Sequence, residues 1–246
     1  MESTQTQTRV ERVRHEIVRR DVRVAAVEPL GREFVRVIFS GDSLAGFVSL
    51  GFDDHLKFII ETDDGEPVRR DYTPRRFDPK RRELTIDFAL HGHGVACDWA
   101  RRVTVSQQAV IGGPRGSMVV PKDYDWHLLA GDATAAPAMA RRLAELPGSA
   151  RAIVVAELGD LAPLELDRCA PEVELQQVSS ASDWVAAIDA MQLPPGDGYV
   201  WCAGEARTMA RARDILMVDK AHPRGAMRIA AYWKSGATDY HEELSR

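Results

Sequence analysis

Arg70-Asp71-Tyr72-Thr73-Pro74-Arg75 sets a guanidinium, an aromatic ring and a hydroxyl close together, just ahead of a proline. Side chains alternate along an extended chain, so Arg70 and Tyr72 share one face and Thr73 points to the other unless the backbone bends. Pro74 favours an extended or turn conformation at Thr73, which is where such a bend belongs. A guanidinium grips a phosphate through two parallel hydrogen bonds. A tyrosine face covers a flat ring, and a hydroxyl donates or accepts at a ring heteroatom. A flavin nucleotide asks for these groups together. The same residues also read as a solvated basic edge strand with one core tyrosine, and alone they do not separate the two.

A second stretch, His91-Gly92-His93-Gly94-Val95-Ala96-Cys97-Asp98-Trp99, follows an apparent strand from Glu83 to Leu90. Gly92 and Gly94 permit a turn whose backbone N–H groups face an anion. Two histidines two apart on a strand face the same way, which raises a metal pair. A catalytic zinc site wants a third protein ligand and an open position, and no spacing in the chain supplies one, so no metal is expected.

With 246 residues, the chain is long enough for one large or two ordinary domains. Apolar residues make up 45% and charged residues 28%, ordinary shares for a globular protein. A net charge of −5 gives no overall attraction to nucleic acid or to an anionic membrane. No apolar run approaches the roughly 20 residues that span a bilayer, and residues 1–20 read as a flexible polar tail without a secretory pattern. Cys97, Cys169 and Cys202 are too scattered for a disulfide framework or an iron–sulfur cluster. The cytoplasm is the expected location.

From Val22 to Pro121 short strands alternate with polar turns, among them Phe34–Phe39, His55–Ile60 and Gln108–Ile111, with a hairpin expected at Asp63-Asp64-Gly65. This pattern predicts an antiparallel β-barrel over residues 21–121, holding one short helix near Ala96–Arg102. Past Pro121 strands and helices alternate, which predicts a parallel sheet covered by helices over residues 122–246. Asp183 is the expected cap of a helix from Trp184 to Met191, and a long helix is expected from Ala206 to about Lys220.

Gly131-Asp132-Ala133-Thr134-Ala135-Ala136-Pro137 lies between a strand and a helix, at the carboxyl end of that sheet, where open α/β folds bind ligands. A helix N-terminus there favours an anion. The segment is not G-x-G-x-x-G, and a plain strand-to-helix turn is the alternative. Glu157 follows the next strand, where an acid meets a ribose 2′-hydroxyl and disfavours a 2′-phosphate; this tilts the donor toward NADH.

The motifs R-x-Y-T-x-R and H-G-x-G-x-A-x-x-W-A, followed by Gly113-Pro114-Arg115-Gly116, resemble the siderophore-interacting proteins, flavin-dependent ferric-siderophore reductases. The resemblance continues through Ala130–Ala138, Trp201-Cys202-Ala203-Gly204-Glu205 and Ala231–Gly236. It implies a Greek-key FAD-binding barrel joined to a Rossmann-like NAD(P)-binding domain, as in ferredoxin reductases. It also implies roles. Arg70 would bind the flavin pyrophosphate, Tyr72 would lie against the isoalloxazine and Thr73 would touch its edge. Arg75 would meet phosphate or the adenylate. His91 would begin the phosphate turn, the backbone at Ala96 and Cys97 would donate to the pyrophosphate, and Trp99 would pack near the adenine or support the turn. Asp87, Phe88, Leu90 and Gly94 complete the expected flavin contacts. Val95 stands where the family commonly has proline, and Cys97 where serine or alanine is usual.

On the nucleotide side the resemblance gives Thr134 to the NAD(P)H pyrophosphate and Gly204-Glu205 to the nicotinamide, with Gly131, Asp132, Ala135 and Glu157 around them. For the ferric siderophore it implies His55, Lys57 and Lys234, with Arg115 and His241 as weaker candidates. The expected activity is a ferric-siderophore reductase carrying electrons from NAD(P)H through FAD to Fe(III), with a ferredoxin as a further possible electron partner. A general flavin reductase and a siderophore-binding module without catalysis stay open as alternatives.

Overall fold

The computed structural model describes residues 9–62, 65–90, 94–169, 171–237 and 240–245. Strand β1 (Glu11–Arg14) precedes the long β2 (Arg19–Leu30), β3 (Phe34–Ser40), β4 (Leu56–Ile60), β5 (Val68–Tyr72), β6 (Arg76–Asp78) and β7 (Glu83–Ala89). Helix α1 (Val95–Arg102) then leads to β8 (Gln108–Gly112) and β9 (Gly116–Val119). Seven of these strands form one sheet in the order β5-β4-β8-β2-β3-β7-β6, antiparallel throughout. The sheet curls until its β5 edge meets β7, where the rings of Tyr72 and Phe88 lie 4.3 Å apart. Alternation along each strand sends Val22, Val24, Val37, Phe39, Leu56, Phe58, Leu84 and Ile86 into a shared interior.

The second half runs β10 (Trp126–Asp132), α2 (Ala136–Glu145), β11 (Arg151–Glu157), β12 (Glu172–Val178), α3 (Ala181–Ala190), β13 (Gly198–Glu205), α4 (Ala206–Asp214), β14 (Met227–Trp233) and β15 (Glu242–Glu243). Its sheet has the order β12-β11-β10-β13-β14-β15, parallel except for the terminal β15. The chain leaves β10 toward β11 on one side and returns to β13 on the other. That makes the carboxyl ends of β10 and β13 the switch point at which such sheets bind ligands. Gly131 is required there, since a Cβ would stand 2.2 Å from the Ala203 carbonyl oxygen and 2.5 Å from Ala135 Cβ.

The halves share a core. Phe34 and Phe52 pack with Leu129, Met139, Tyr199 and Trp201. From α2, Arg141 donates to the Ser49 hydroxyl and the Pro74 carbonyl, at 2.8 and 2.9 Å. Arg142 donates to the carbonyls of Val120, at 3.1 Å, and Pro121.

Several expectations need correction. Residues 11–14 are not a loose tail: they pair antiparallel with β9, Glu11 opposite Val119. Just before them, Arg9 forms ion pairs with Asp123 and Asp197 and covers the Tyr124 ring. The cap of α3 is Ser180, whose hydroxyl accepts from the Asp183 N–H; Asp183 lies inside the first turn and accepts in return from the Ser180 hydroxyl. Either residue type suits a cap, and only the backbone geometry at Ser180 decides between them. The helix begun by α4 continues past Asp214 as a π-helical segment, Ile215–Asp219. Of the expected hairpin turn, Asp63 and Asp64 lie outside the described residues.

Candidate functional site

Strand β5 ends at Tyr72, and Thr73 follows it outside the strand. Arg70, Asp71, Tyr72 and Thr73 all line one cleft of about 240 Å3 between the two halves. The barrel side also contributes His55, Asp87, Ala89 and the start of α1, from Gly94 to Cys97; the other half contributes Ala133, Thr134, Pro137, Tyr232 and His241. A wider hollow of about 620 Å3 lies elsewhere on the barrel, lined by residues such as Arg23, Ile59, Val110 and Trp99. It touches neither helix N-terminus nor the switch point, so nothing there converges on a ligand.

Phe88 and Phe58 hold the Tyr72 ring, with centroids 4.3 and 5.9 Å away. Thr73 is buried beside it. Asp71 holds Lys57 Nζ at 3.0 Å through Oδ2, while its Oδ1 is buried without a hydrogen-bond partner, an acceptor left for a ligand N–H or O–H. Arg70 stands at the edge of the cleft and donates to its neighbour's carbonyl at 2.8 Å. Helix α1 starts at Gly94 with no side chain capping it. The N–H groups of its first turn have no intrahelical acceptor, and their dipole favours an anion. An uncapped helix start, a supported aromatic ring, a buried hydroxyl and an orphaned acceptor in one cleft fit a flavin nucleotide.

Not every expected flavin residue reaches the cleft. Arg75 turns away and binds Glu165 Oε2 at 2.7 Å, with its Nε 3.8 Å from Asp87. Asp87 does line the cleft, but its carboxylate is gripped by Arg36 at 2.7 and 2.8 Å, and Arg36 binds Glu165 with its remaining donors. Together these groups hold the Glu165 carboxyl down near a pKa of about 2, the Arg36 hydrogen bond acting against burial. Phe88 is core. Trp99 turns its ring into the barrel among Phe39, Phe58 and Phe88, where it buttresses α1. Leu90 offers its carbonyl to Arg101 at 2.7 Å. Burial pushes the Cys97 thiol up, which keeps it protonated at the cleft floor. His91 and its partner His93 lie outside the described residues.

At the switch point Asp132 spends both oxygens on the protein. Oδ1 accepts from the Thr134 N–H and hydroxyl, at 2.8 and 2.5 Å. Oδ2 accepts from the Glu205 N–H at 3.1 Å and from Trp233 Nε1 at 2.8 Å. Asp132 therefore ties three carboxyl-end segments together and leaves the Thr134 hydroxyl engaged. Gly204 permits this, because a Cβ would stand 2.7 Å from Asp132 Oδ2. Glu205 caps α4 through the N–H groups of Arg207 and Thr208. A second recess of about 280 Å3 collects Asp132, Thr134, Glu157, Glu205, Thr208 and Trp233, next to the first cleft through Ala133 and Thr134. Burial first, and then Asp132 and Asp183, raise the Glu157 carboxyl pKa. Ala135 is buried against Gly131 and starts α2.

His55 belongs to two openings at once, the cleft and a neighbouring groove of about 530 Å3. Arg115 lines that groove with Arg12, Arg14, His15 and Arg228. The arginines and histidine of the N-terminal segment escaped the sequence reading, because their place depends on β1 pairing with β9. Arg228 escaped because an arginine in a strand carries no positional signal. Lys57 is tied to Asp71 beside the cleft. Lys234 is exposed, its ammonium 5.5 Å from the Tyr240 ring. Among the described residues no cluster suited to a metal ion is found, and no helix is long and apolar enough to cross a membrane.

Comparison with known proteins agrees with this arrangement. Residues 59–118 match the siderophore-interacting FAD-binding domain, and residues 124–236 match the siderophore-interacting protein model. The NADPH-dependent ferric-chelate reductase of Escherichia coli is 32% identical over 91% of this chain and 96% of its own. The ferric vibriobactin reductase ViuB of Vibrio cholerae is 29% identical over 87% and 89%. A siderophore utilization protein from T. fusca superposes with a TM-score of 0.86 at 30% identity, covering 94% of this chain and 98% of that one. The antiparallel sheet followed by a largely parallel one is the ferredoxin reductase-like fold, and the chain belongs to the siderophore-interacting protein family.

Proposed function

We propose that this protein is a ferric-siderophore reductase of the cytoplasm, drawing electrons from NAD(P)H. The observation that carries the reading is the cleft: the uncapped start of α1 and the Tyr72-Thr73 end of β5 face the switch point of the parallel sheet, and His55 opens the same cleft onto a cationic groove. A bound flavin would supply the coupling between a two-electron hydride donor and a one-electron acceptor such as chelated Fe(III). The protein's own part is placement. The first turn of α1 and Arg70 would hold the pyrophosphate, Tyr72 would support the ring system, and Thr73 and Asp71 Oδ1 would offer polar groups to its edge. Thr134 and the start of α2 would receive the second nucleotide beside it. Arg12, Arg14, His15 and Arg115 attract a negatively charged or polar iron chelate to within reach of His55. Once reduced, iron is a softer ion that hard siderophore oxygens hold poorly, so it leaves.

The test is an anaerobic titration of the FAD-loaded protein with NADPH and with NADH, followed by ferric chelates and a colour reagent for Fe(II). Bleaching of the flavin bands by one or both nucleotides, and Fe(II) release on adding chelate, is the expected result. Flavin that bleaches without releasing Fe(II) would point to a general reductase with another acceptor. Flavin that neither nucleotide bleaches would point to a ferredoxin as donor. A chain that binds no FAD would end the reading.

A further inference from the structure

The last described residues form a strap across the site. After β14, residues 240–245 run back beside it. Glu243 pairs with Ala230 and Glu242 with Ala231, the Leu244 N–H donates to the Ile229 carbonyl at 2.8 Å, and the Ile229 N–H donates to the Ser245 hydroxyl at 3.2 Å. Pairing in this register fixes two side chains. Glu243 Oε2 stands 3.3 Å from Arg228 Nε, while its Oε1 accepts from the Ser245 hydroxyl at 2.6 Å. The His241 ring lies 4.9 Å from the His55 ring and 5.5 Å from that of Tyr232, and it lines the flavin cleft.

Arg228 is the arginine of the cationic groove set deepest beside the parallel sheet. Asp53 Oδ2 already holds its Nε at 2.7 Å, and Asp53 also accepts from Trp201 Nε1 at 3.0 Å. One guanidinium therefore faces two carboxylates, and Arg228 brings no net positive charge to the groove. Asp53 belongs to the buried core of the molecule. Glu243 belongs to a short strap held by strand pairing, by Leu244 packed on the core and by the His241 ring contacts.

We propose that this strap sets the charge preference of the acceptor groove. Glu243 adds a second carboxylate beside Arg228, which Asp53 already neutralises, and His241 narrows the mouth beside His55, so that the groove's pull on polyanionic ferric tris-catecholates, relative to uncharged ferric tris-hydroxamates, is weaker than its arginines alone would give. The inference rests on the reductase reading above.

The experiment compares FAD-loaded wild type, Glu243→Gln, and a chain ending at residue 239, each assayed with NAD(P)H against a ferric tris-catecholate and an uncharged ferric tris-hydroxamate. Glu243→Gln keeps the size of the side chain and an oxygen that accepts from the Ser245 hydroxyl, and it removes the negative charge facing Arg228. The shortened chain removes both devices. In Glu243→Gln the catecholate KM falls roughly fivefold, the effect of about 1 kcal/mol, and in the shortened chain at least as far. The hydroxamate KM moves less than about twofold, and the catecholate gain shrinks as salt is raised. Two KM values that move in parallel, or do not move, overturn the proposal, because a merely structural role would affect both chelates alike. A wild type that passes electrons to a quinone but reduces neither chelate overturns the reductase reading and the strap's role together. An unchanged ratio in a protein that reduces both overturns the strap alone.

Discussion

His127 lies on β10 with no exposed surface, and neither ring nitrogen finds a hydrogen-bond partner, although the main chain at Lys122 approaches. The Tyr124 ring meets it edge-on at 5.8 Å. Burial first, and the nearby Arg142 guanidinium second, push its pKa from 6.5 down to about 4. The fold thus favours the neutral imidazole. Above pH 6.5 both folded and unfolded chains carry it neutral, and nothing is lost. As pH falls from there toward 4 the unfolded chain takes up the proton first, and stability drops by on the order of 3 kcal/mol once both states are protonated. A His127→Phe chain should lose most of that acid slope; urea midpoints at pH 7 and pH 4.5 check it, and an unaltered slope would place the acid lability elsewhere. Arg75 shows how residue type misleads at this scale. A guanidinium recognises phosphate and carboxylate with the same geometry, so its sequence neighbourhood suggested phosphate where the fold supplies Glu165.

Helix α1 combines two jobs, presenting its first-turn donors to the cleft and filling the barrel beneath with Ala96 and Ala100. Val95, at its first position, is exposed, and the residue before it, Gly94, is extended with φ 165 and ψ 153. Proline is suited to the first helical position, its fixed φ matches, and an extended predecessor is what it requires. Val95→Pro should therefore raise the stability of the flavin-free protein by roughly 0.5–1 kcal/mol through the unfolded chain, seen as a higher thermal midpoint. A lower midpoint would mean that the Val95 N–H or side chain contributes more than its place suggests. Strands with strong period-two or β-branched patterns, such as β3, β4, β7 and β8, were legible in the sequence within a residue. Strands β1, β6 and β9 were not. They are four residues or fewer, and their stability comes from main-chain pairing with partners distant in sequence, which no local pattern records.

Across the whole molecule the two halves are held by apolar contact and by ion pairs with little access to water. Glu165, at the left-handed turn between two short helical turns, joins Arg36 and Arg75 of the barrel to the second half, with Arg168 on its outer side at 2.8 Å. Removing one partner of a buried network leaves the others uncompensated, which typically costs about 3–5 kcal/mol. Glu165→Gln should destabilise the protein at the lower end of that range, because Asp87 still faces both arginines. The wild-type contribution is complete above about pH 4.5, the ordinary carboxyl value, and is lost as pH falls toward 2, since the folded pKa lies below the unfolded one. Chemical denaturation of both chains at pH 7 and pH 3 reads this directly; equal stability at pH 7 would show the network to be dispensable.

The sequence by itself determined most of the longer strands and helices, the order of the two sheets along the chain, and the grouping of guanidinium, ring and hydroxyl at residues 70–75 ahead of the glycine that opens α1. Those follow from side-chain periodicity and short-range geometry, which are written along the chain. Only the tertiary structure decided which charges face a ligand and which face each other. Arg75 went to Glu165, Asp132 to the loops of its own sheet, and Arg228 to Asp53 and Glu243, while Arg12 and Arg14 came to line the cationic groove. The reason is that an ion pair depends on distance in space, and the fold brings together charges that the chain keeps far apart.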